Sequence, residues 1–133
     1  EWWRNLKNRY ARDNLNFEID DADTLLWLPQ ELFESVADNL IQNALRKRVG
    51  QPDVAIRVEL RTLPVPSLIV CDTGPAAPPE VMEKLFHAPV STHDGLGIGL
   101  YQAAKQARGL GYGLELSRNN DGEVCFILWQ EML

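Results

Sequence analysis

"ELFESVADNLIQNALRK", residues 31–47, carries two messages at once. At about 100° per residue, Phe33, Val36, Ala37, Leu40 and Ala44 fall on one apolar face of a helix. Ser35, Asn39, Asn43 and Arg46 form a narrow polar stripe along its margin. Asparagine is a mediocre helix former, because its amide competes with the backbone for hydrogen bonds. Two of them four residues apart beside a buried face therefore need a reason. Either the amides satisfy local backbone groups, or they offer neutral oxygens to a metal–phosphate group. Mg²⁺ takes oxygen ligands and keeps phosphates in its shell, and Arg46 stands one turn on to meet negative oxygens.

The helix runs from Gln30 to about Arg48, with Pro29 at its start and Gly50 at its stop. Before it, "LNFEID" (15–20) alternates like a half-buried strand. After it come a period-two strand, "VAIRVELRTL" (54–63), and a contiguous apolar one, "SLIVCD" (67–72), which predicts deeper burial. Pro64 and Pro66 suit a hairpin connection. "PEVMEKLF" (79–86) reads as a short helix, about 98–108 as another, and 112–118 and 123–130 as strands joined by the "NNDG" turn. This order predicts an α/β (α+β) two-layer sandwich, a mixed sheet of about five strands packed against three helices.

Two further stretches carry candidate chemistry. In "IVCDTG" (69–74), Asp72 ends a buried strand and places a carboxylate at the sheet rim. Ionised, it only accepts hydrogen bonds, which suits an exocyclic amine such as adenine N6. Gly74 lets a ring approach the backbone. In "GLGIGLYQAAK" (95–105), Gly95, Gly97 and Gly99 fall on alternate residues ahead of a helix. They permit tight or left-handed geometry, and the amides and dipole of the following helix start favour phosphate. The lysine and hydroxyl of a P-loop are missing, as is the preceding strand of a dinucleotide fingerprint.

Composition sets the frame. The chain has 133 residues, 45% hydrophobic and 24% charged, with a formal net charge of −6. That is one globular domain, with a charge that argues against a broad nucleic-acid footprint and against an anionic membrane surface. Cys71 and Cys125 lack metal or redox spacing and are expected as two buried free thiols. The start, "EWWRNLKNRYAR", has no initiator methionine and reads as part of something longer. Residues 1–12 are expected to be a linker or the end of an upstream helical hairpin, with Trp2 and Trp3 facing an absent partner, or else a docked N-terminal helix. The rest, 13–133, is the domain proper.

The ordered combination resembles the ATP-binding catalytic domain of sensor histidine kinases, in the superfamily that also holds gyrase B, MutL and the heat-shock chaperone ATPases. "DNLIQNALRK" (38–47) looks like the N box, "DTGPAAP" (72–78) the first glycine box, "EKLFHAPVST" (83–92) the F box and "GLGIGL" (95–100) the second glycine box. The resemblance implies ATP and Mg²⁺ as cofactors. Asn43 matches the Mg²⁺-coordinating asparagine, with Asn39 and Arg46 completing the catalytic stripe. Arg46 stands where the family often has a phosphate-contacting lysine, and Lys47 follows it. Asp72, Gly74 and Ala76 would meet the base. Gly95, Gly97, Ile98, Gly99 and Leu100 would wrap the phosphates, and Ser91, Thr92 and His93 lead into the lid.

The chain departs from the pattern at Ala76 for a second glycine, Val90 for a second phenylalanine, Val124 for a threonine, and a short lid, "STHDG". Asn39 stands where hydrolysing branches carry a glutamate base, and Asp38 is turned about 100° from the stripe. Phosphoryl transfer rather than hydrolysis is thus expected, because transfer needs mainly positioning and charge neutralisation. Neither His87 nor His93 sits on a long helix. The resemblance therefore implies an acceptor histidine in a dimerisation domain of the same or a sister chain, and then a response regulator. It also implies a cytoplasmic location within a parent anchored in the inner membrane. The alternatives are an anti-sigma-factor-type serine kinase and a degenerate module that binds nucleotide weakly or not at all.

Overall fold

The computed structural model describes residues 2–20, 28–62, 65–78 and 96–131. In chain order the elements are α1 (Trp2–Arg9), β1 (Asn16–Ile19), α2 (Gln30–Arg46), β2 (Ile56–Arg61), β3 (Ser67–Asp72), α3 (Leu96–Gly109), β4 (Tyr112–Asn120) and β5 (Glu123–Gln130). A 3₁₀ turn, Lys47–Val49, extends α2. The sheet order is β1-β2-β3-β5-β4. β1 and β2 are parallel, because α2 carries the chain back between them, and every other neighbour is antiparallel. Among the described residues, three helices, α1 included, and a five-stranded mixed sheet form the expected two-layer sandwich. The expected helix at 79–86 lies outside the described residues.

The apolar face of α2 is the centre of the core. Phe33, Val36, Ala37, Leu40 and Ala44 are all buried, against Val58, Leu60, Leu68, Val70 and Leu128 from the sheet. Fully burying a side chain the size of Phe33 or Leu40 stabilises the fold by roughly 1.5–3 kcal/mol. Pro29 precedes α2 in an extended conformation, and its carbonyl accepts the first helical bond, from Phe33 N, at 3.1 Å. Its missing N–H is no loss there.

The N-terminal segment is a docked helix. Trp2 and Trp3 are 4% and 6% exposed, and Leu6 and Tyr10 are buried with them. The rings form an edge-to-face chain across the core: Phe17 to Trp3 at 5.5 Å, Trp3 to Trp2 at 5.7 Å, Trp2 to Phe33 at 6.0 Å and Phe33 to Tyr112 at 5.5 Å. The tryptophans thus have their partners within this chain, not in an absent one. Where α1 runs beside α2, Tyr10 Oη donates to Asp38 Oδ1 at 2.8 Å and Arg9 pairs with Asp38 and Glu34.

Two expectations are corrected. Cys71 and Cys125 are not free thiols but a disulfide, with Cα atoms 4.1 Å apart. The register between β3 and β5 sets these residues directly opposite each other, which is close enough for the bond. The last helix starts at Leu96, not Ile98, so Gly97 and Gly99 are helical rather than in a loop. Gly99 does not have positive φ.

Candidate functional site

The C-terminal half of α2 ends beside the end of β3. Asn43, 8% exposed, accepts a hydrogen bond on Oδ1 from Arg46 Nη1 at 3.0 Å. Its Nδ2 is buried and has no partner among the described residues. One turn earlier, Asn39 Nδ2 donates to the Ser35 carbonyl at 3.1 Å. Its Oδ1 lies so close to α3 that a Cβ built on Gly99 would stand 2.9 Å from it. Glycine at 99 therefore serves a close approach of α3 to Asn39, not a left-handed turn.

Asp72, 5% exposed, is the buried carboxylate at the end of β3. Its Oδ1 accepts from Gly74 N at 2.8 Å. Lys47 Nζ donates to Oδ1 at 3.0 Å and Oδ2 at 3.1 Å. The loop after β3 is held by the β4–β5 turn. Gly122 N donates to Gly74 O at 3.0 Å, Ala76 N to Asp121 Oδ1 at 3.0 Å, and Ala77 N to Asn119 Oδ1 at 2.8 Å. Asp72 itself pairs across the sheet with Ile56 on one side and Val124 on the other. The backbone of Asp72 is thus fixed by both neighbouring strands, and its carboxylate by the Gly74 amide and Lys47.

The family model described as "Histidine kinase-, DNA gyrase B-, and HSP90-like ATPase" matches residues 29–132. The chain belongs to this family. Among curated proteins it is similar to sensor protein CitS of Halalkalibacterium halodurans, 29% identical over 86% of this chain and 23% of that protein. It is also similar to the adaptive-response sensory kinase SasA of Crocosphaera subtropica, 30% identical over 62% of this chain and 23% of that protein. The chain thus spans about a quarter of the length of the curated relatives it matches. The catalytic domain of histidine kinase ThkA, in a nucleotide-free form, has the same fold, with a TM-score of 0.79 at 23% identity over 97% of this chain and 90% of that one. ThkA in complex with response regulator TrrA aligns with a TM-score of 0.71 at 22% identity, over 97% of this chain and 39% of that one.

Within the histidine kinase-like ATPase fold, the structure brings Asn43, Arg46, Lys47, Asp72 and Gly74 to the C-terminal end of α2, and sets Asn39 against Gly99 one turn before Asn43. Ala76 follows in the stapled loop. Leu100 is fully buried in the core, so its side chain serves packing. For Gly97 and Ile98 the structure gives the helical backbone. Ser91, Thr92, His93, Gly95, Val90 and His87 lie outside the described residues. Asp38 points to α1, where Arg9 and Tyr10 hold it, as its position off the Asn39–Asn43 stripe predicts. Sequence reasoning missed the Lys47–Asp72 ion pair and the use of Asn119 and Asp121 as staples. The "NNDG" turn was a visible signal for the staples, because Asn and Asp in turns offer side-chain oxygens to nearby amides. Nothing local signals the ion pair, whose partners are 25 residues apart.

Proposed function

We propose that this chain is the catalytic ATP-binding domain of a two-component sensor histidine kinase. It binds Mg–ATP and passes the γ-phosphoryl to a histidine on a dimerisation domain of the same or a sister chain. A response regulator then takes the phosphoryl, a partner supported by the ThkA–TrrA complex. The observation that carries the reading is the meeting of α2 with the end of β3. Asn43 and Lys47 lie one turn apart on α2 and its cap, and Lys47 reaches the buried Asp72. On this reading one small region would offer a carboxylate to a ring amine, the amide oxygen of Asn43 to a metal, and two cations nearby.

The residues suit Mg²⁺ that arrives with its nucleotide. Among the described residues no cluster of three acidic, histidine or cysteine side chains forms a metal site. Asn43 Oδ1 already accepts from a cation, Arg46. A lone neutral oxygen is a weak cage but an adequate ligand for an ion whose other ligands are phosphate oxygens and water. When bound, the ion neutralises phosphate charge. Asn43 would hold it, and Arg46, freed from Asn43, would turn to the phosphate oxygens. The first amides of α3 lack partners within the helix and favour the same anions.

Poor hydrolysis follows from the side chains present. Asn39 cannot accept a proton at neutral pH, and Asp38 is engaged by Arg9 and Tyr10. Phosphoryl transfer therefore rests on positioning and on charge neutralisation. Calorimetric titration with ADP tests the reading on this chain. Micromolar binding that needs Mg²⁺ supports it, and absence of binding at millimolar nucleotide overturns it in favour of a degenerate module. In the parent protein, Asn43→Asp and Asp72→Asn should each abolish labelling from γ-labelled ATP or greatly weaken it. Full transfer by both variants contradicts the site.

A further inference from the structure

The carboxylate expected to read a ring amine is already engaged by the chain itself. Lys47 Nζ donates to both oxygens of Asp72, at 3.0 and 3.1 Å, and to the Pro75 carbonyl at 3.1 Å. An ammonium has three N–H donors, so each has a partner. The lysine stem lies over Gly74, where a built Cβ would come within 2.7 Å of Lys47 Cδ. The bare backbone that a glycine leaves for a flat ring is therefore covered by methylenes, and the carboxylate beside it by the charged head.

Resting on the nucleotide-site reading, we propose that Lys47 is the residue that sets base affinity. Its head and stem stand where a purine would lie against Asp72 and Gly74, and must leave before a base can reach the carboxylate. Asp72 is the less free of the two: its backbone is paired with β2 on one side and β5 on the other, its side chain is 4% exposed, and the Gly74 amide donates to its Oδ1. Lys47 is freer: its side chain is 21% exposed and springs from the end of α2. A four-carbon stem can swing its head into water without unfolding anything. Binding is then an exchange. A charge-assisted ion pair is given up for an amine-to-carboxylate hydrogen bond, so the base binds more weakly than the pocket's shape would allow.

Adenosine tests this directly. It carries no phosphate, so the charge of Lys47 acts on it only through Asp72. Binding of adenosine and ADP is measured by NMR or calorimetric titration for the chain itself, Lys47→Met, Lys47→Gln and Asp72→Asn. Thermal melting checks that each variant folds, and Lys47→Gln stands in if Lys47→Met does not. The proposal expects adenosine to bind about tenfold tighter to the lysine variants. Unchanged adenosine affinity overturns it, and so does weaker ADP binding with adenosine unaffected, which would make Lys47 a phosphate contact. Those failures leave the nucleotide site standing if ADP binds the chain and Asp72→Asn loses it. If ADP does not bind, or Asp72→Asn binds it undiminished, the site reading falls and the lysine proposal with it.

Discussion

At the scale of single residues, the site depends on close contacts that a methyl group can upset. Gly99→Ala adds a Cβ 2.9 Å from Asn39 Oδ1. Alanine in place of glycine stabilises a helix by about 1 kcal/mol, and the displaced amide offsets part of that. Stability in urea should therefore change by no more than about 1 kcal/mol, while affinity for Mg–ADP falls about tenfold. A variant that binds normally would show that the Asn39 amide is not positioned for the ligand. Tyr10 gives a pH test. Burial, and then its hydrogen bond to Asp38, push the phenol up to about 12 from 10.0. Between pH 10 and 12 the unfolded chain releases this proton and the folded chain keeps it. The contribution is thus fully present below pH 10 and is lost as pH rises through about 12. The loss is of order 2 kcal/mol, and Tyr10→Phe should show no such loss when the two are compared by denaturation across that range. Much of this scale is legible in the sequence. The Asn39–Asn43 stripe and Asp72 stand where the residue pattern puts them, because a helix face and a strand end are local properties.

At the scale of elements, α2, β3 and β5 follow from hydrophobic period and punctuation. Ser67–Asp72 emerges with the predicted bounds because contiguous apolar residues leave a central strand little choice. What was not legible is what depends on the neighbours of each strand. β5 inserts between β3 and β4, an arrangement no local pattern encodes. With it come the Cys71–Cys125 disulfide and the Asp72–Val124 pairing. The Lys47–Asp72 contact is hidden for a like reason, since it requires α2 to end over the end of β3. The disulfide joins residues 54 apart, and a loop of that length corresponds to about 4 kcal/mol in the chain-entropy description. Reduction should lower the urea midpoint by a measurable part of that amount, and Cys71→Ser should show the same loss without reductant. A midpoint indifferent to reductant, with thiols titrating in the native protein, contradicts the bond.

At the scale of the whole molecule, a chain of net charge −6 is proposed to hold a polyanion by concentrating cations and amides at one end of one helix. Lys47 is charge-paired with Asp72, whereas Arg46 rests on the neutral amide of Asn43 and keeps its charge for an anionic ligand. α1, packed through Trp2 and Trp3 and tied to α2 by Arg9 and Asp38, stands at the other flank of the same helix. The fold was expected from the order of elements, and its family membership rests on a match across residues 29–132. The most direct measurement is a crystal structure of the chain with Mg²⁺ and a non-hydrolysable ATP analogue. The account predicts the adenine amine within hydrogen-bonding distance of Asp72, Lys47 swung away, Asn43 Oδ1 on the metal and the phosphates at the start of α3. A nucleotide bound elsewhere, with the Lys47–Asp72 pair intact, would contradict it.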